Sequence, residues 1–387
     1  MKAKQLRNLA FTLHRYIGLA IGLVLIVIGL TGSLLVFNGE ISEFITTRKF
    51  GQVIPQAQEQ LIAPEKILDI AKAAHPNWQL RRLFPPEDNH HPYTVEMTSP
   101  DENPNLYVHG WQEVLINPYT GLVMGDYPER YSYDRFLVNL HYRLFAENIG
   151  IAIAGICGLL VVFLTITGLI LWPGWRKLIS GFKIKWNAHP KRVNFDIHKV
   201  VGIITAVFLF LTFFTGFCWN FAEFMNPIIY AVTFSPQKPV EHIEPVSQPL
   251  PGKQPLTLTE LLNHVNTALP GGVVGEIGGF STPKDGLYVS LTFPQQSADS
   301  RAEIYFDKYS GKVLQIHKYG EASQSLGDKV LNSFNTIHFG TFGGLPTRIF
   351  YVFVGLAPLI LLITGFVMWR YRRKNMSNSH TEAIAQK

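Results

Sequence analysis

Apolar residues in this chain are gathered into blocks and do not recur with a helical or strand period. Four uncharged stretches stand out: Tyr16 to Phe37, Ile149 to Trp172, Val200 to Phe221 and Ile349 to Trp369. Each meets the roughly 20 residues that a helix needs to cross about 30 Å of hydrocarbon. One such stretch also suits a buried core helix, but four in one chain point to a bilayer. The first follows Lys2, Lys4, Arg7 and Arg15, as a signal peptide would. Its apolar core is too long for that and no small-x-small cleavage signal follows, so it reads as a retained span.

Two long segments of mixed polarity separate the first span from the second and the third from the fourth. Each holds a helical stretch ending in proline, Pro64 to Pro76 and Leu256 to Pro270, followed by alternating strand-like runs. Each also holds a turn written Tyr-Thr/Ser-Gly, within Asn117-Pro118-Tyr119-Thr120-Gly121 and Asp307-Lys308-Tyr309-Ser310-Gly311. Glycine there supplies the positive φ of a hairpin corner. Each segment therefore reads as a small α+β unit, the second joined to its span by a proline-rich linker from Pro236 to Pro255.

The spans match one another in pairs. At one constant offset Phe11, His14, Gly18, Thr31 and Gly32 fall on Phe195, His198, Gly202, Thr215 and Gly216. At another, His141, Phe145, Gly158, Thr167, Gly168 and Trp172 fall on His338, Phe342, Gly355, Thr364, Gly365 and Trp369. Ungapped matches of this length read as a tandem duplication.

Charge orients the chain. The net charge of +6 is concentrated in short connections: Arg176, Lys177, Lys183, Lys185, Lys191 and Arg192 lie in the middle loop, and Arg370, Arg372, Arg373 and Lys374 follow the fourth span. The positive-inside rule puts both termini and this loop in the cytoplasm and both long segments outside. The charge records topology and gives no reason to expect nucleic acid. Cys157 and Cys218 sit inside spans as small packing residues, with no disulfide framework outside.

One histidine lies near one end of every span. With this orientation His14 and His198 are near the cytoplasmic face, and His141 and His338 near the outer face. Histidine at such depth is a functional candidate. Two neutral imidazoles facing each other in a bundle suit the axial ligation of haem iron, and the absence of Cys-x-x-Cys-His makes any haem b-type. Gly18, Gly22, Gly29 and Gly32 lie near the His14 face, as do Gly202, Thr205, Thr212 and Gly216 near the His198 face. Such stripes admit a flat macrocycle or another helix. Arg15, Lys199, Arg143 and Arg348 stand beside the histidines, placed either to pair with haem propionates or to snorkel to the interface. Packing alone is the competing reading for every one of these residues.

His90 and His91, in a loop with Glu87 and Asp88, and the pair Arg81 and Arg82 read either as solvated residues or as sites for a metal and an anion. No P-loop, His-Glu-x-x-His or dinucleotide fingerprint occurs, which disfavours ATP-driven transport, zinc proteolysis and built-in NAD(P)H oxidation.

On these motifs the chain resembles the PepSY-associated transmembrane family. The carriers are His14-Arg15-Tyr16-Ile17-Gly18 leading to Thr31-Gly32, Leu140-His141 leading to Leu164-Thr165-Ile166-Thr167-Gly168 and Trp172, and the Tyr-Thr/Ser-Gly turns. The likeness runs from about residue 8 to residue 373. That family includes iron-regulated bacterial inner-membrane proteins, among them di-haem ferric-siderophore reductases of the ferrioxamine-reductase type. The resemblance implies four transmembrane helices in two tandem repeats with two periplasmic PepSY-like domains, two non-covalent haem b groups on His14, His198, His141 and His338, and reduction of a ferric siderophore or other iron chelate outside by a cytoplasmic donor. One departure stands out. Gly340, Gly343, Gly344 and Pro346 follow His338 and break the helix there, which leaves His338 on a short interfacial helix and its pairing with His141 open.

The expected layout is residues 1–37 (N-terminus and span), 38–140 (outer unit), 141–172 (span with its interfacial lead), 173–197 (basic loop), 198–221 (span), 222–337 (linker and outer unit), 338–369 (span with its lead) and 370–387 (tail). Two further readings stay open: a non-enzymatic regulator whose outer units bind a peptide or protease, and an accessory of siderophore transport.

Overall fold

The computed structural model describes residues 3–55, 60–98, 111–129, 132–236, 245–249, 252–282, 284–293, 295, 300–319 and 325–385. Lys2 and much of the expected linker (237–244 and 250–251) lie outside the described residues, as do the side chains beyond Arg373. The helices are α1 (Ala3–Leu35), α2 (Asn38–Phe50), α3 (Pro64–Ala74), α4 (Tyr133–Val138), α5 (Glu147–Leu171), α6 (Leu178–Phe182), α7 (Pro190–Asn220), α8 (Ala222–Val232), α9 (Leu258–Ala268), α10 (Leu326–Phe339) and α11 (Leu345–Ala385). The strands are β1 (Gln79–Phe84), β2 (Tyr93–Thr98), β3 (Trp111–Ile116), β4 (Val123–Pro128), β5 (Val273–Gly278), β6 (Leu287–Thr292), β7 (Arg301–Phe306) and β8 (Val313–Tyr319). The chain divides into two compact units.

The helical unit comprises Met1–Asn38, Leu137–Ser235 and Val330–Lys387. Four of its helices are long and apolar enough to cross a membrane, over Lys4–Leu35, Glu147–Trp175, Pro190–Asn220 and Leu345–Arg373. These cover the four stretches legible in the sequence, apart from a residue or two at the ends of the first and third, and begin about three turns earlier than the sequence reading in those two. Helix α1 packs against α5 and α11, and α7 packs against the same two. The helices therefore form a four-membered ring with α1 and α7 on one diagonal and α5 and α11 on the other. Leu25, Ile28, Ala154, Cys157, Val161, Leu209, Phe213, Val354 and Ala357 fill its interior. With no hydrophobic force between helices in lipid, small residues set the approach. A Cβ on Gly158 would stand 2.9 Å from the Phe213 carbonyl oxygen, and one on Gly355 2.7 Å from that of Gly29.

Proline starts two of these helices. Pro190 opens α7 behind His189, whose Nδ1 accepts from the Lys191 amide, and Pro346 lies in the first turn of α11, where a missing N–H is harmless. As the sequence predicts, His338 lies at the end of a separate helix, α10, with Gly340 and Gly344 turning the chain at φ 68° and 66°. His141 lies on a π-helical turn, Asn139–Arg143, and the chain then reaches α5 through Leu144, Phe145 and Glu147 at φ 51°, 51° and 47°. The glycine stripe on α1 serves helix packing in its middle: side chains at Gly22 and Gly29 would run into Leu362 and the Gly355 carbonyl of α11.

The second unit comprises Gly39–Phe136 and Pro236–Lys329. Where the sequence reads as two separate α+β units, the structure has a single antiparallel sheet of eight strands in the order β4-β3-β2-β1-β5-β6-β7-β8. The join is β1 against β5, with Arg82 opposite Gly278 and Leu83 opposite Ile277. Two separate four-stranded meanders would have four open edges, and pairing β1 with β5 removes two of them, leaving β4 and β8 at the ends of the sheet. Alternation then sends Leu83, Val95, Met97, Val114 and Ile116 from one half, and Ile277, Val289, Leu291, Ile304 and Phe306 from the other, to one face. There they share a core with Ile67 and Ala71 of α3 and Leu258, Leu261 and Val265 of α9. The two Tyr-Thr/Ser-Gly turns are hairpin corners, as predicted. Asn117 Oδ1 accepts from the amides of Tyr119 and Thr120, Asp307 Oδ1 from those of Tyr309 and Ser310, and Gly121 and Gly311 take φ 71° and 68°.

Candidate histidine sites in the helical bundle

The four histidines form two pairs. His14 on α1 faces His198 on α7 with ring centroids 6.1 Å apart and planes at 78°. His141 faces His338 at 6.3 Å and 81°. The partnership of His338, open in the sequence, is thus with His141. His14 and Thr31 are separated along α1 by seventeen residues, as are His198 and Thr215 along α7, which puts the two levels about 25 Å apart at 1.5 Å per residue.

Each ring is held from a neighbouring element by a threonine. His14 Nδ1 lies 2.9 Å from Thr167 Oγ1, His198 Nδ1 2.9 Å from Thr364 Oγ1, His141 Nδ1 3.0 Å from Thr31 Oγ1, and His338 Nδ1 2.9 Å from Thr215 Oγ1. Every one of these hydroxyls also donates to the carbonyl four residues earlier, at 2.7 to 2.9 Å. A hydroxyl has one proton, so the oxygen meets the imidazole with a lone pair and Nδ1 must carry the hydrogen. A second acceptor stands beside each imidazole, the backbone carbonyl of Leu164 for His14, Leu361 for His198, Ile28 for His141 and Thr212 for His338. The proton on Nδ1 leaves Nε2 as an unprotonated donor on all four rings.

The separation fits one metal ion between the rings of each pair: two metal–nitrogen bonds of about 2 Å plus the ring radii come to about 6 Å. Among the described residues, two imidazole donors meet at each level. The one group of three or more His, Cys, Asp or Glu ligands among the described residues is elsewhere, at Glu96, Glu113 and Glu129. A bare divalent ion seeking four ligands is therefore poorly served, whereas iron already held by a macrocycle needs two axial nitrogens.

The four basic candidates divide. The buried Arg15 Nε has no hydrogen-bond partner, and its guanidinium carbon lies 4.4 Å from the Tyr16 ring centroid. Lys199 is committed to Asp196 at 2.5 Å, and the same carboxylate, fully buried, takes Arg192 at 3.1 Å and the Lys185 amide at 3.2 Å. Arg143 binds the Tyr142 hydroxyl at 2.6 Å and Glu147 at 3.3 Å. Arg348 donates twice to the Val36 carbonyl, at 2.8 and 3.3 Å, and lies over Phe37, closing the end of α1. Of the four, Arg15 keeps a donor for a further anion. The Arg192-Asp196-Lys199 network escaped the sequence reading, although i, i+4 and i, i+3 spacing carries it. So did the threonines, whose signal was the recurrence of Thr-Gly once for every histidine.

On the sheet face opposite the core, Glu96, Glu113 and Glu129 bring carboxylate oxygens within 4.8 Å of one another. Guanidinium groups answer them: Arg81 pairs with Glu96 at 2.9 Å and stacks on Trp111 at 3.3 Å, Arg82 bridges to Glu276 at 3.0 Å, and Arg135 pairs with Glu129. Arg81 and Arg82 thus have anionic partners from the protein itself. The Tyr127 hydroxyl donates to Glu113. Burial pushes Glu113 and Glu129 up to about 7. His91 contacts Asp88 at 2.7 Å and Glu43 at 3.3 Å, and the Asp88 carboxylate also accepts from the His90 amide.

No curated protein matches the chain. Among solved structures it is similar to the crystal structure of a "putative lipoprotein" from Clostridium difficile 630, 12% identical over 67% of this chain and 96% of that one. The TM-score is 0.28, too low for a shared fold. The model of the family described as the PepSY-associated TM region matches residues 11–372, and over that length, nearly all of the chain, this membrane protein belongs to that family.

Proposed function

We propose that this protein is a di-haem b electron-transfer protein of a bacterial inner membrane, reducing a ferric siderophore or other iron chelate to Fe(II) on the outer side for iron uptake. The carrying observation is the pair of opposed imidazoles at each of two levels, with every Nδ1 protonated against a threonine and every Nε2 left as a donor. His14 and His198 would hold one haem, His141 and His338 the other, and the orphaned Arg15 Nε suits a propionate beside His14. Haem so held supplies one-electron redox chemistry at two depths of the membrane.

The rest of the reading concerns the polypeptide. Lys and Arg distribution favours cytoplasmic termini, a cytoplasmic middle loop and a periplasmic sheet unit. The constant offsets between spans, and the identical helix-then-four-strand order of α3 to β4 and α9 to β8, support a tandem duplication. Electron transfer to a bound chelate needs proximity more than acid or base groups, so no catalytic side chain is assigned. The donor is a cytoplasmic reductant, and each iron takes up one electron.

The test is the absorption spectrum of the purified full-length protein with haem quantification. Two haems per chain and a Soret band that shifts on reduction are expected; colourless protein from haem-replete cells would overturn the reading. His141→Ala and His338→Ala separate it from the regulator reading: loss of haem supports electron transfer, and an unchanged spectrum with lost peptide or protease binding supports regulation.

A further inference from the structure

The four Thr-Gly pairs do more than mark equivalent positions. Each threonine meets a histidine of the same chain half, Thr31 with His141, Thr167 with His14, Thr215 with His338 and Thr364 with His198. Each following glycine makes room for the same ring: a Cβ would stand 3.0 Å from Cε1 of His141 at Gly32, 3.3 Å from that of His14 at Gly168, 3.2 Å from that of His338 at Gly216 and 3.6 Å from that of His198 at Gly365. Hydroxyl and bare backbone thus grip one edge of the imidazole. A histidine χ2 is otherwise broad, and either ring nitrogen can carry the proton. The two hydroxyls at a level come from opposite helices of the ring, α5 and α11 at one, α1 and α7 at the other, and the paired ring planes stand at 78° and 81°.

We infer that Thr31, Thr167, Thr215 and Thr364 are the positioning residues of the two haem sites, fixing Nδ1–H, pointing Nε2 across the bundle and holding the paired imidazole planes near perpendicular. This rests on the bis-histidine reading above. It adds that both ferric haems share one unusual electronic signature, because near-perpendicular axial imidazoles give a low-spin EPR signal with a large maximum g value. It adds also that each Nδ1–H···O bond makes its imidazole a stronger donor, which stabilises the ferric form.

The experiment compares the full-length wild type with Thr31→Val/Thr215→Val, in which valine keeps the shape and removes the hydroxyl. These two threonines serve only the His141–His338 level, so the His14–His198 haem in the same molecule reports on folding. In the wild type both signals should have a large maximum g value. In the variant the His14–His198 signal should persist, while the other haem shows a smaller maximum g value and a higher midpoint potential. Thr31→Ser/Thr215→Ser should restore both. A valine variant with two haems, both signals and both potentials unchanged overturns the positioning role while leaving bis-histidine ligation standing. Wild-type protein without haem overturns both.

Discussion

Both units of this protein join two halves of the chain, and they do so by opposite means. In the sheet unit the halves bond directly: β1 and β5 pair through their backbones, Arg82 reaches Glu276 at 3.0 Å, and Leu83 meets Ile277 in a common core. In the bundle each half secures its own histidines through its own threonines, and the rings of the two halves then face one another at 6.1 and 6.3 Å without bonding to each other. A seam closed by backbone hydrogen bonds and apolar burial is structural. A seam where two oriented donors meet at metal-bridging distance is where chemistry belongs.

The largest effects should come from breaking the bundle seam. On the proposed two-haem reading, His338→Ala should lower the haem content from two per chain to one and leave the sheet's amide exchange unchanged; His198→Ala should remove the other haem. Haem quantification beside hydrogen exchange measures both. Equal loss of both haems from either variant would show that the levels are not independent.

Breaking the sheet seam should do the reverse. Leu83 is fully buried at the join, and Leu83→Ala should cost about 2–5 kcal/mol. Because one core serves both halves, amide protection should fall on β6 and β7 as well as on β2 and β3, while the haem spectrum stays as it was. Loss of protection confined to β1 to β4 would mean that the halves fold separately.

A smaller effect sharpens the contrast within the bundle. His141 and His338 are both followed by a sharp turn, made with Gly340 at φ 68° after His338 and with Leu144 at φ 51° after His141. Gly340→Ala should cost about 1–2 kcal/mol for the left-handed backbone, and more because its Cβ would enter the Tyr351 ring. The expected readout is a lower melting temperature with preferential loss of the His141–His338 haem.

The smallest is a pH effect confined to the sheet. Burial raises Glu113 and Glu129 from 4.5 to about 7, so the folded unit binds more protons than the unfolded chain between these values. Stability from this source is complete below about 4.5 and is lost as pH rises through about 7. Glu113→Gln should make that slope shallower, measured by thermal unfolding across the window. An unchanged slope would show that Glu113 ionises normally.

Much of this could be read without coordinates. The spans followed from block hydropathy because lipid demands an uninterrupted apolar helix, and the hairpin corners followed from Tyr-Thr/Ser-Gly because only a residue at ease with positive φ fits there. The four histidines stood out because an imidazole at the end of an apolar span is rare. The outer segments read as two units because strand pairing between sequence-distant edges leaves no local trace: nothing near Leu83 or Ile277 names its partner. Arg348 read as a cation for a propionate or the interface for a similar reason, since the Val36 carbonyl meets it only once the helices have packed, whereas the Lys199–Asp196 pair was there to be read in its i, i+3 spacing.

What the sequence determined by itself is the number of spans, their pairing by constant offset and the four imidazoles, all carried by composition and spacing along one helix. What the tertiary structure decided is who faces whom. It set His338 opposite His141, turned four threonines from repeat markers into proton acceptors, and merged two meanders into one sheet. Those outcomes depend on contacts between elements far apart in the chain, and a contact of that kind exists only when the helices and strands bearing it have packed.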